Sequence, residues 1–173
     1  FDYLFNSFAW WDFRAGWALE QHEDLRVAAP SIAFPENHDM ARLAATLDGD
    51  AETIADALVG RYALAAAFSS GVLLPIGYEW GYRKPLHVAF TKPADREDTR
   101  IDVSDRIAAI NRLKAAIPAL NVEGALTRLS SPDASYLALL RLDSGHRLGA
   151  TEAVVILANI GDAPVTVSGM DLL

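Results

Sequence analysis

The chain has 173 residues, 51% of them apolar, with 15 Lys and Arg against 23 Asp and Glu for a formal charge of −8. That apolar share excludes a disordered chain, and the length excludes a complete eight-stranded α/β barrel, which needs roughly 250 residues. The acidic balance, with no basic run longer than Arg83-Lys84, argues against nucleic-acid or anionic-membrane partners, because phosphates need clustered cations.

The absence of cysteine removes disulfide frameworks and thiolate metal sites. It fits a reducing cytosol and also a disulfide-free secreted enzyme, with a cytoplasmic protein slightly favoured. The longest apolar stretch, Tyr62 to Phe68, falls far short of the about 20 residues of a bilayer span. Both ends, Phe1-Asp-Tyr-Leu-Phe5 and Gly169-Met-Asp-Leu-Leu173, read as interior sequence.

Phe1 to Phe5 reads as a short buried strand. Trp10 to Leu25 reads as a helix, with Trp10, Phe13, Trp17 and Leu25 in reach of one face, so that Trp10, Trp11 and Trp17 are packing residues. Ser31 to Phe34 is a second strand-like run, and it leads into a polar cluster at Glu36-Asn37-His38-Asp39. Asp50 then caps a helix whose Ile54, Leu58, Tyr62 and Ala65 recur at helical spacing until Ser69-Ser70-Gly71; its Ala65-Ala66-Ala67 run implies close packing on a sheet. Val72 to Ile76 reads as a strand with Pro75 near its end, followed by an aromatic loop, Gly77-Tyr-Glu-Trp-Gly-Tyr-Arg83, and a charged, exposed segment from Lys92 to Arg100. A last helix starts near Ser104 with Ile107, Ile110, Leu113 and Ile117 on one face, and Pro118 ends it.

From Asn121 the pattern changes to β-type runs: Ala125 to Leu129, Tyr136 to Leu142, Ala153 to Ile160 and Val165 to Val167, divided by turn clusters. The chain therefore reads as three β/α units over 1–120 and an antiparallel β module over 121–173.

The segment Ser31 to Asp39 has a buried strand delivering two carboxylates, an amide and an imidazole to one short loop. At the carboxyl end of a parallel strand these side chains face the ligand crevice. They suit a polyhydroxylated substrate, since carboxylate and imidazole accept from and donate to sugar hydroxyls. A cap-and-turn role is the plainer reading of such a cluster.

Phe34-Pro-Glu-Asn-His-Asp39 resembles the Asn-His-Asp segment at the end of the seventh barrel strand in the alpha-amylase superfamily of retaining glycoside hydrolases and transglycosylases. Gly71 to Gly81 looks like that family's eighth strand with its loop, and Arg106 to Leu120 like its last barrel helix. The resemblance implies a partial (β/α)8 barrel, strands six to eight with their helices, followed by the start of a C-terminal β-sandwich. By the same resemblance Asp39 matches the carboxylate that stabilises the transition state, and His38 the imidazole that hydrogen-bonds the sugar. Asn37 and Glu36 are substrate-side candidates without an argued catalytic role, Glu36 standing where it can orient the loop. For Arg42 salt-bridging stands beside substrate contact. Tyr78, Glu79, Trp80 and Tyr82 complete the candidate binding set, with aromatic stacking on sugar rings weighed for Trp80 and Tyr82.

Retaining enzymes need a nucleophile and a general acid roughly 5 to 5.5 Å apart. Ahead of the loop stand only Asp2, Asp12, Glu20, Glu23 and Asp24, none in the family's Gly-x-Arg-x-Asp context, so this chain by itself is expected to be inactive. No cofactor is implied. His22, His87 and His146 lack partners at metal-ligand spacing, and no metal site is expected. The reading is part of an enzyme acting on α-glucans or oligosaccharides, with hydrolysis favoured because Asn37-His38-Asp39 is kept. The alternatives are a maltosyl- or glucosyltransferase of the same superfamily in starch or glycogen metabolism, a non-catalytic carbohydrate-binding relative, and a metallohydrolase using His38, Asp39 and a distant histidine. A third of a barrel leaves strand edges uncovered, so self-association of the chain is expected.

Overall fold

A computed structural model describes residues 2–169. Three short strands, β1 (Leu4–Phe5), β2 (Ser31–Ala33) and β3 (Gly71–Val72), form a parallel sheet in sequence order. Leu4 pairs with Ser31 and Ile32 with Gly71. Helix α1 (Trp17–Arg26) links β1 to β2, while α2 (Leu43–Thr46) and α3 (Ala51–Phe68) link β2 to β3. Parallel neighbours require crossovers of this kind. Asp50 caps α3 by accepting the Thr53 N–H at 2.8 Å. On α3, Ala65 and Ala66 are buried beside Ala33, the close packing that small side chains permit. Gly71 belongs to the same approach: a Cβ there would lie 2.9 Å from Ile32 Cγ1.

Helix α4 (Ser104–Ala116) precedes an antiparallel sheet of β4 (Leu126–Arg128), β5 (Tyr136–Leu142) and β6 (Ala153–Asn159). Burial along β6 alternates, with Val155 and Leu157 exposed and Ile156 and Ala158 packed inward. Leu126, Leu137 and Leu139 share one apolar cluster with Phe8, Trp11, Ala33 and Phe68. The core is therefore continuous across residue 121. Among the described residues no helix is long and apolar enough to cross a membrane.

Four elements differ from the sequence pattern. The helix expected over Trp10 to Leu25 begins only at Trp17, with a single 3-10 turn at Phe8–Trp10 ahead of it. Asp12 accepts the N–H groups of Arg14 and Ala15 and Phe13 takes φ 63°, a local turn that competes with the helix. Trp10 and Trp11 are consequently not helical: Trp11 is buried and donates to the Ala15 carbonyl, while Trp10 is half exposed against Phe34. The strand expected over Val72 to Ile76 pairs only at Gly71–Val72, plus one bond from Leu73 N–H to the Ala33 carbonyl. On α4, Leu113 is exposed and Lys114 buried. Lys114 Nζ donates to the carbonyl of Ser69, the residue that ends α3, at 2.8 Å, and to that of Leu120. A cation is favourable there because a helix C-terminus leaves carbonyls unpaired. Val165 to Val167 form no strand. Of the first expected strand, Phe1 lies outside the described residues.

A buried polar junction ties the two sheets at the amino ends of β2 and β3. Glu123 accepts the N–H of Ser31 at 2.8 Å and of Ser70 at 3.1 Å, and both serine hydroxyls. His22 is fully buried, with Nε2 3.0 Å from the Gly124 carbonyl and Nδ1 3.8 Å from Glu123. Arg141, also fully buried, donates to the carbonyls of Ala119, Phe68 and Val122.

Candidate functional site

The opposite, carboxyl ends of β2 and β3 carry the candidate residues. After β2 the chain passes through buried Phe34 and Pro35 to Glu36, then turns outward and returns at Arg42. Glu36 and Arg42 are 1% and 2% exposed. Glu36 Oε1 meets Arg42 Nε at 2.5 Å, and Glu36 Oε2 accepts the Leu43 N–H at the start of α2 at 2.5 Å. Both terminal nitrogens of Arg42 donate to the Ile76 carbonyl beyond β3, at 3.2 and 3.1 Å. Burial pushes the Glu36 carboxyl above its usual range, against the Leu43 N–H and the Arg42 charge.

Between these buried ends the tip stands in solvent. Asn37 Oδ1 accepts the Asp39 N–H at 3.0 Å, shaping the turn. His38 Nε2 lies 3.3 Å from Asp39 Oδ1, and the two side chains are 47% and 68% exposed. An exposed carboxylate beside an imidazole, both on a loop held at its base, can bind hydroxyl groups and bear on a developing positive charge.

The loop after β3 is set by Gly77 and Gly81, with φ 89° and 61°. A Cβ on Gly77 would collide with the Tyr82 ring at 2.2 Å. Tyr78 points into the core: it is 1% exposed, its hydroxyl donates to the Leu58 carbonyl at 2.6 Å, and burial raises its pKa. Glu79 accepts the Gly77 N–H with its side chain, and its carbonyl accepts the Val103 N–H. Trp80 and Tyr82 lie with ring centres 5.8 Å apart, and the Arg96 guanidinium sits 5.4 Å from the Trp80 ring. They line a cleft of about 400 Å³ with Glu97, Asp98, Thr99, Ile101 and Asp102.

The fold thus joins Glu36, Arg42 and the Ile76 carbonyl, and it presents His38 with Asp39. Trp80 and Tyr82 open onto their own cleft, whose lining includes no residue of the 36–42 loop. Of the carboxylates ahead of the loop, Asp12 is occupied by its turn and Glu23 by Arg26 at 2.6 Å. Among the described residues no group of three or more His, Cys, Asp or Glu is arranged to hold a metal ion. Glu123 and Lys114 carry no local sequence signal for the roles they take, whereas Arg141 stands out as a charge inside the apolar run Tyr136 to Leu142.

No family model matches the chain. It is 38% identical over 148 residues to the alpha-1,4-glucan:maltose-1-phosphate maltosyltransferase of Burkholderia pseudomallei (strain K96243), a match covering 82% of this chain. The chain spans 13% of the length of that curated relative. Identity at that level along most of the chain marks a relationship to the enzymes that hydrolyse or transfer glycosides, and the matched relative is a transferase.

Proposed function

We propose that this chain is the segment of an α-glucan-acting glycosyltransferring enzyme that contributes Asp39 and His38 to the substrate site. The observation that carries the reading is the pair His38–Asp39 at an exposed loop tip, at the carboxyl end of a parallel strand, where α/β enzymes place their chemistry. In this reading β1, β2 and β3 are strands six to eight of a (β/α)8 barrel, residues 1–120 its last part, and residues 121–173 the start of a β-sandwich. Three parallel strands in sequence order, each followed by helix, support it.

Transfer replaces hydrolysis as the leading reaction. Retention of Asn37-His38-Asp39 favours hydrolysis on sequence grounds, but the matched relative is a maltose-1-phosphate-using maltosyltransferase. The donor is then maltose 1-phosphate and the acceptor an α-1,4-glucan. Asp39 accepts sugar hydroxyls more strongly as the reacting ring gains oxocarbenium character, and His38 donates to the same sugar. The nucleophile and general acid come from outside these residues, so the isolated chain turns nothing over.

The test supplies the enzyme carrying this segment with maltose 1-phosphate and an α-1,4-glucan. Phosphate release matched by glucan lengthening in steps of two glucose units is expected. Release of reducing sugar without lengthening restores the hydrolytic reading, and turnover by the isolated chain refutes the division of labour. Exposed Tyr3, Phe5, Val155 and Leu157 on the two sheets lead us to expect self-association of the isolated chain, and a monomer in light scattering would contradict it.

A further inference from the structure

We infer that Glu36 and Arg42 act as a clamp that positions Asp39, with neither touching the substrate. The inference rests on the assignment of Asp39 made above. A carboxylate where the loop leaves the strand grips a guanidinium and an amide where the loop returns, so residues 37–41 close into a compact turn. The Asn37 bond to the Asp39 N–H then fixes the tip within that closure.

Arg42 also reaches sideways. Its Nε is taken by Glu36 and both terminal nitrogens by the Ile76 carbonyl, so one side chain ties the end of β2, the start of α2 and the segment beyond β3. At 2% exposure, with each of its three nitrogens already facing a protein oxygen, it is closed off from a sugar hydroxyl in this arrangement. The planar fork is what makes the contact possible: lysine keeps the charge but cannot serve a carboxylate and a carbonyl in two directions at once.

The contrast along seven residues supports a positioning role. Both ends are buried and ionically paired, whereas His38 and Asp39 between them stand in solvent, in contact only with each other's side chain among the ion pairs of the described residues. A catalytic carboxylate on a loop needs such support, since displacement by about 1 Å can cost about 100-fold in rate.

Two readouts test the clamp in Arg42→Lys and Glu36→Ala. In the chain itself, amide exchange at Leu43 should rise by about tenfold or more, with Thr53 and Ile54 at the start of α3 unchanged. In the enzyme carrying the segment, kcat should fall by about 10- to 100-fold with KM held within about threefold. Unchanged Leu43 exchange overturns the clamp, as does a raised KM at constant kcat, which marks direct substrate contact. Should Arg42→Lys expose α3 as well, Glu36→Ala, which removes the acceptor of the Leu43 N–H and leaves Arg42 in place, carries the same two expectations. Asp39→Asn separates the two layers: if it leaves turnover intact, the assignment of Asp39 falls, while Leu43 exchange still decides whether the clamp closes the loop.

Discussion

Two glutamates, Glu36 buried and Glu123 part-buried, stand at opposite ends of the same parallel strands and do different work. Glu123, at the amino ends of β2 and β3, collects two backbone N–H groups and two serine hydroxyls. Glu36, at the carboxyl end of β2, has one N–H and one guanidinium. Burial pushes both carboxyls up. For Glu123 the Ser70 hydroxyl, the Ser31 N–H and the Arg141 charge outweigh it and the net shift is down, whereas for Glu36 burial prevails. Donor supply thus decides the sign, and it divides the molecule into an end that fastens two sheets and an end whose loop tip stands in solvent.

The largest way to break this contrast is Glu123→Ala. It leaves the Ser31 and Ser70 donors without their acceptor and removes a charge that attracts Arg141, and should cost about 2–4 kcal/mol. Denaturant unfolding measures it, and a loss below about 1 kcal/mol would remove the fastening role.

Acid gives a subtler test. Burial holds the His22 imidazole below 6.5 despite the Gly124 carbonyl, so its contribution to stability is present above 6.5 and lost as pH falls through the lowered folded value. Glu123, lowered from 4.5, loses its contribution as pH falls further. Glu36, raised from 4.5, has the reverse sign: its contribution is present below 4.5 and lost as pH rises through the folded value. Between pH 7 and 4, protection of the Ser31 amide, corrected for intrinsic exchange, should therefore fall before that of Leu43. Simultaneous loss would mean that the two ends are not electrostatically distinct.

At the exposed tip effects on stability shrink. Asn37→Ala removes the bond to the Asp39 N–H and should cost about 0.5–1 kcal/mol, read as a shift in the unfolding midpoint. Asp39→Asn should change stability by no more than about 0.5 kcal/mol while lowering kcat of the enzyme that carries the segment by about 10²- to 10³-fold. A large stability loss at Asp39 would make it a structural residue and collapse the contrast.

Much of the scaffold is legible in the sequence. Asp50, Glu52 and the Ile54, Leu58, Tyr62, Ala65 spacing mark α3, and capping and periodicity act within one helix. The polar loop after Ser31 to Phe34 was legible for the same reason, as a local change of pattern. Trp10 to Leu25 is helical in composition, while the Asp12 turn that breaks it depends on two hydrogen bonds to the Asp12 carboxylate and a positive φ at Phe13. Lys114 displaced Leu113 from the inner face of α4 because the end of a different helix lies beneath it. Tyr78 stands in a run that reads as an aromatic loop, yet its hydroxyl is spent on Leu58, 20 residues back.

The sequence by itself determined the order of strands and helices, the acidic character, and the loop that carries Glu36 to Asp39, because these follow from neighbours along the chain. Tertiary structure alone decided which charges are buried. Glu36 meets Arg42, Arg42 reaches the Ile76 carbonyl, and the part-buried Glu123 meets Ser31 and Ser70, partners up to 92 residues apart. A charge can be taken from water only where the fold supplies its partners, and no local pattern specifies them.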